Sequence, residues 1–340
     1  MNMNIWEKML NVDRRWIFLT IGLACIIPFF TPLGLPVLPS QEVISVYDYI
    51  ENLDSDNAIM VSFDFDPGTA AENQPMGVAV LRHAFARKVP AYVTSYTPLG
   101  QGLASIAIEE LTNPMNDGHF QMVRWDDWAE LREQGITDRD EIEAEWIARG
   151  NTLPDNAQGW VFEGRDIAFL GYLPYFHLVI LGMTSSIVSQ FPQDVAGNPV
   201  EQMPMYQDHK SLRDVDLAFT AAGSSVCTMW IIYGREKIGL PVAFGVTAVM
   251  ATDYLIYVQS NQIIGQLGGL RGAAEYETLL MGWSEDGVER AQHSPVPGAA
   301  FIGMDVQSIA HLLIIFLVIL GNIAYFAGGF HKNVKLKGRR

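Results

Sequence analysis

The sequence predicts an α/β protein, in which a mostly parallel sheet domain lies between two transmembrane helices and carries a helical insertion. Three observations carry this reading. Apolar runs of strand length alternate with amphipathic stretches between residues 58 and 282. Most of those runs are continuous and do not alternate apolar with polar, as strands buried on both faces require. A longer apolar segment stands towards either end of the chain. Strand-helix alternation of this kind reads as a Rossmann-like layered domain.

The first long apolar segment is Trp16 to Leu38, preceded by Lys8, Arg14 and Arg15. Trp16 to Phe30 is helical in character, and Pro28, Pro32 and Pro36 break or kink the chain as it leaves the membrane. A basic start before an apolar run also begins a secretory signal. The string Gly22–Cys25 has glycine where a lipoprotein cleavage box carries a bulky apolar residue, so an uncleaved signal anchor over 16–38 is expected. The second segment, Ile309 to Phe326 within an anchor over 306–328, spans roughly 27 Å as a helix, enough for the hydrocarbon core.

Charge orients the chain. The N-terminal flank (1–15) and the tail (329–340) are basic, so the positive-inside rule makes both cytoplasmic and puts residues 39–305 outside the cytoplasmic membrane. Pro36 to Ser308 holds 36 acidic and 14 basic residues. Such a surface repels phosphate backbones and argues against nucleic acid. It suits a soluble extracytoplasmic domain, and salt adaptation or loose cation binding would leave the same trace. The two cysteines, Cys25 and Cys227, lie too far apart in character and position to form a staple.

Between the anchors, a short helix over 40–53 precedes strands expected at 58–65, 90–96, 166–172, 176–182, 215–221 and 241–249. Helices are expected at 75–88, 100–112, 224–237 and 272–282. Residues 113–162 break the rhythm: acidic, polar, and bearing Trp125, Trp128, Trp146 and Trp160. Two short helices are expected there, with Thr137 and Asp140 as a capping pair. The tryptophans either offer a partner surface or pin the insertion to its own domain.

The carboxyl ends of parallel strands gather ligands, which singles out "SFDFDPGT" with Asp64 and Asp66. The string resembles the haloacid-dehalogenase nucleophile motif, but Pro67 and Gly68 displace Thr69 by one position, and that chemistry is excluded. The structural alternative is a turn at Asp66-Pro67-Gly68 followed by a Thr69/Glu72 capping box. Thr97 opens the next strand-to-helix turn beside it. A glycine-rich string, "IIGQLGGLRGAAEYETLL", adds Gly269, Arg271 and Glu275 as candidate anion contacts, with close packing as the plainer reading. No nucleophile elbow or other catalytic set is complete. The seven histidines are scattered without a metal motif, so neither a metal nor another cofactor is expected. In the second anchor, Gln307, His311 and Asn322 are candidate contacts to a partner helix.

Several strings together resemble an uncharacterised prokaryotic family of two-pass membrane proteins. They are "WEKMLNVDRRWIFL", "SFDFDPGTAAENQPM", "GVTAVMATDYLIYVQSNQIIGQLGGLRGAAEYETLL" and "GMDVQSIAHLLIIFLVILGN". The resemblance implies the topology given above and no chemistry, and the 113–162 stretch is longer than the family pattern. The expected function is a non-catalytic scaffold or ligand-sensing subunit of a membrane assembly, in contact with lipid and with partner subunits or further copies of itself. The alternative is an enzyme or a small-molecule or anion-binding protein with a polar site at the strand ends.

Overall fold

The computed structural model describes residues 12–31, 33–35, 37–283 and 288–337. Lys8, Pro32, Pro36, Arg339 and Arg340, which enter the topology reading, lie outside the described residues. Contacts divide the chain into two units, one formed by Val37–Phe301 and the other by Met1–Pro36 with Ile302–Arg340.

Helices in chain order are α1 (Arg14–Phe30), α2 (Gln41–Glu51), α3 (Ala70–Ala86), α4 (Gly100–Thr112), α5 (Ala129–Glu133), α6 (Arg139–Ala148), α7 (Phe176–Met183), α8 (Pro204–Asp208), α9 (Val226–Met229), α10 (Ala248–Gln259), α11 (Gly269–Leu280) and α12 (Ala299–Lys337). Strands are β1 (Ile59–Asp64), β2 (Ala91–Ser95), β3 (His119–Val123), β4 (Ala157–Phe162), β5 (Ile167–Tyr172), β6 (Leu217–Ala222), β7 (Val242–Val246) and β8 (Gln266–Gly268).

Six strands form one sheet in the order β5-β2-β1-β6-β7-β8, every adjacent pair parallel. From β1 the chain builds outward through β2 to β5, then returns to the other side of β1 and continues through β6 and β7 to β8. This is the doubly wound arrangement, whose direction of winding reverses between β1 and β6. Every residue of β1, β2, β6 and β7 is buried, which is why their sequences read as unbroken apolar runs. On the helical side, α2 buries Val43, Val46, Tyr47 and Ile50, the stripe expected of an amphipathic helix. Helix α11 is buried almost throughout from Gly272 to Leu280.

Three expectations are corrected. Residues 176–182, expected as a strand, lie in α7. An apolar run of that length fits either state by composition. Tyr175, in the left-handed region at φ 62°, turns the chain, after which Val179, Ile180 and Met183 share the buried face. The insertion is not wholly helical: β3 and β4 pair in parallel as a separate two-stranded sheet, with α5 and α6 between them. Asp138, rather than Thr137, caps α6 by accepting from the amides of Asp140 and Glu141.

The tryptophans of this stretch turn inward. Trp125, Trp128 and Trp160 are buried, and Trp146 packs partly buried against the same core. Trp128 meets Trp125 and Phe162 edge to face, and the Arg132 guanidinium lies 3.3 Å from the Trp125 ring centroid. They pin the insertion to its own domain.

Ala299–Ala327, which runs from the end of the first unit into the other, is 29 residues with a window of mean hydropathy 2.4, long and apolar enough to cross a membrane. It is the one such span among the described residues. The two-span expectation is corrected to this extent: α1 is apolar but only 17 residues, about 25 Å, with Pro28 inside it. Its large side chains Trp16, Phe18, Leu23 and Phe30 are nonetheless exposed. Beyond it, the amides of Leu33 and Gly34 donate to Asp305 Oδ2 (2.8 and 3.0 Å) and that of Leu35 to Oδ1 (3.1 Å).

Candidate functional site at the strand ends

The reversal lies between β1 and β6, whose carboxyl ends are the usual ligand position in open α/β sheets. Asp64 is the last residue of β1, paired in register with Ala222 of β6. Its carboxylate is fully buried and Oδ1 accepts from the Tyr96 amide at 2.6 Å. Burial pushes the carboxyl up to about 7 against the opposing pull of the Ser62 hydroxyl and the Tyr96 amide.

The other oxygen, Asp64 Oδ2, is enclosed without a partner. It has company. Tyr96 Oη, Ser224 Oγ and Trp230 Nε1 are likewise enclosed and unpartnered. Tyr96 follows β2, Ser224 follows β6, and Trp230 lies near Tyr96 with ring centroids 6.3 Å apart. Each such group costs about 1–3 kcal/mol when nothing meets it. Trp230 also opens a π-helical segment, Trp230–Glu236, directly after α9, a local distortion frequent at functional sites.

The other predicted residues divide. Asp66 is exposed and serves the turn, Oδ1 accepting from the amides of Gly68 (2.8 Å) and Thr69 (3.3 Å). Thr97 lies on the same edge, its hydroxyl donating to the Phe65 carbonyl at 3.4 Å. The start of α4 comes close here because Gly100 has no side chain: a Cβ would overlap the Phe63 carbonyl and the Ser95 hydroxyl. The Thr69/Glu72 capping box does not form. Thr69 makes no side-chain cap, and Glu72 reaches across to accept from the Ala248 amide at the start of α10 (2.8 Å).

Gly269, Arg271 and Glu275 stand apart from Asp64, on α11. Gly269 adopts φ 62° beside Ala248 and Glu72. Arg271 Nε pairs with Glu275 Oε1 at 2.7 Å, and Glu275 Oε2 accepts from the amide and hydroxyl of Ser40 (2.9 and 2.6 Å). These groups hold α2 to α11, and Ser40 and Glu275 border a cavity of about 150 Å³. Gln307, His311 and Asn322 are exposed on α12, and their spacing puts them on one face. Cys227 is buried, and burial pushes its thiol far up, so it is inert.

Sequence reasoning missed the Tyr96 amide that meets Asp64, and the enclosed polar atoms of Tyr96, Ser224 and Trp230, which come from three separate segments. It also missed a second constellation. Histidines scattered along the chain meet where α3 returns to the sheet: His83 Nε2 and His293 Nε2 lie 2.8 and 2.7 Å from Glu51 Oε2. Burial holds the His83 imidazole well below its usual range despite the Glu51 hydrogen bond, so it is neutral. The Glu51 carboxyl is partly buried, yet hydrogen bonds from both imidazoles hold it low. No protein-family model, curated protein or solved structure matches the chain.

Proposed function

We propose that the chain is a membrane-held ligand-sensing module, a non-catalytic subunit of a membrane assembly whose crevice between β1 and β6 takes a small polar molecule. The observation that carries the reading is the group of four enclosed atoms without partners: Asp64 Oδ2, Tyr96 Oη, Ser224 Oγ and Trp230 Nε1. Together they offer acceptors and donors to a ligand with both, and the indole can only donate. Thr97 and Asp66 stand at the rim.

The span Ala299–Ala327 supports the anchorage. The segment beyond α1 is tied to that span through Asp305, which accepts from the amides of Leu33 to Leu35. The acidic stretch between basic flanks supports an extracytoplasmic domain with both ends in the cytoplasm. The polar face of Gln307, His311 and Asn322 meets a partner helix. An enzymatic reading is favoured by one observation, the Asp64 carboxyl near 7, a range suited to proton transfer.

Thermal-shift screening of the full chain in detergent, against nucleotides, sugars, amino acids and divalent ions, tests the site. One class raises Tm in the wild type and not in Asp64→Asn or Ser224→Ala; silence across all classes overturns it. Mild-detergent purification with mass spectrometry tests the assembly, which a lone monodisperse protein would refute.

A further inference from the structure

We propose that Glu51, His83 and His293 form a binding site for a transition-metal dication of the zinc type, separate from the strand-end crevice. Three elements bring the ligands together: Glu51 ends α2, His83 lies in the last turn of α3, and His293 sits in the segment before α12. One ligand atom from each lies within 4.8 Å of the others. Two imidazoles and one carboxylate are a zinc set of the open kind, which leaves a fourth position for water or a substrate.

The surroundings suit that use. His83 is fully buried, and its Nδ1 lies 2.8 Å from the Tyr276 hydroxyl. With the proton on Nδ1 the ring donates to Tyr276 and turns its Nε2 lone pair toward Glu51, the outer hydrogen bond that orients a metal-bound histidine. The Tyr47 ring stacks on His83 at 4.5 Å and fixes the imidazole plane. Glu51 is the adaptable member, its side chain about a quarter exposed at 28%. Ligand atoms around tetrahedral zinc stand about 3.3 Å apart. Glu51 therefore withdraws by roughly half an ångström and the His293 imidazole, within 4.8 Å of that of His83, closes toward it to admit the ion, which replaces the two hydrogen bonds joining Glu51 to the imidazoles. A cavity of about 220 Å³ reaches His293 and supplies entry.

Charge in the vicinity is balanced. Arg87 stands 3.9 Å from the other Glu51 oxygen, and Arg290 lies 3.8 Å from Asp48. Glu51 brings one negative charge to the dication, and Arg87 lowers the affinity without occupying Oε2. Both imidazoles must present a bare Nε2, so the proton each held there moves to Nδ1 and none need leave the protein.

The test uses the full untagged chain in detergent, stripped with a chelator and titrated with zinc by calorimetry and with cobalt(II) by visible absorption. One equivalent of zinc binds, and cobalt gives the intense visible bands of a low-coordinate site. Glu51→Gln and His293→Ala lower zinc affinity by about 100-fold. Tyr276→Phe, which keeps the fold and the ligands, lowers it by about 10-fold. Binding that is absent, or unchanged in Glu51→Gln and His293→Ala, overturns the proposal and leaves a hydrogen-bonded triad. If a variant does not fold, the cobalt spectrum and stoichiometry of the wild-type chain still decide.

Discussion

The Tyr96 amide holds one oxygen of Asp64 at 2.6 Å while the other oxygen meets nothing. A carboxyl in that position is easier to keep protonated than ionised. Because its folded value of about 7 lies above the ordinary 3.8, the folded state retains a proton that the unfolded chain gives up. Stability therefore falls as pH rises from about 4 to about 7 and stays low above that, by up to about 4 kcal/mol from this group. In Asp64→Asn the amide oxygen still accepts from Tyr96 and no charge is buried. That variant is expected to be more stable than wild type above pH 7 and to lose the advantage near pH 4, in urea unfolding followed across that range.

Glu277 gives a second, structurally different case. Its carboxylate accepts from the amides of Ala300 (3.2 Å) and Phe301 (2.7 Å), in the first turn of α12, and burial pushes it up to about 7. Here both oxygens are used. Glu277→Gln puts an NH₂ group against one of those amides and is expected to destabilise the domain by about 1–3 kcal/mol at pH 6, unlike the Asp64 replacement. Gly298 makes room for the carboxylate, since a Cβ there would overlap its carbon and oxygens. Gly298→Ala is expected to cost about 1–3 kcal/mol as well, read by denaturant midpoint.

Asp305 collects three backbone amides from Leu33 to Leu35 while itself buried at 1% exposure. Removing it strands those donors together. Asp305→Ala is expected to lower thermal stability in detergent by about 2–4 kcal/mol and to expose the Leu33–Leu35 segment to proteolysis. Asp305→Asn, which keeps one acceptor, is expected to fall between.

Trp128 is buried at 1% exposure, its ring against Trp125 and Phe162 and its indole nitrogen donating to the Glu163 carbonyl at 3.2 Å. Trp128→Ala is expected to cost about 3–5 kcal/mol in chemical unfolding. Arg132→Ala, which removes the guanidinium from the Trp125 face and its 2.8 Å bond to the Trp125 carbonyl, is expected to cost about 1–2 kcal/mol.

Long strands were legible because burial on both faces leaves a run such as Ile59–Asp64 with little choice of residue type. The edge strand β8 was not: Gln266, Leu267 and Gly268 carry too short a pattern to separate from a glycine-rich turn. Phe176–Met183 misled because an eight-residue apolar run satisfies both periods, and the deciding feature was a backbone turn at Tyr175. Asp64 was legible by position alone, at the end of an apolar run. Its neighbours were not, since the amides of Tyr96 and Gly223 reach it only after the sheet order is known. Glu51, His83 and His293 are harder still: His83 is 32 residues from Glu51 and His293 is 242 away, and no local spacing records their meeting.

The central position of β1 has a consequence for synthesis. Its Ser62 hydroxyl bonds to Thr220 at 2.9 Å, across 158 residues of chain. A nascent chain therefore carries β1 with one edge open until β6 is made, and local pairing cannot close that edge sooner. For that interval a strand that ends fully buried offers unpaired amides and carbonyls to any neighbouring chain. The end of β1 at Asp64 cannot take its final surroundings before then, because Asp64 pairs in register with Ala222 of β6.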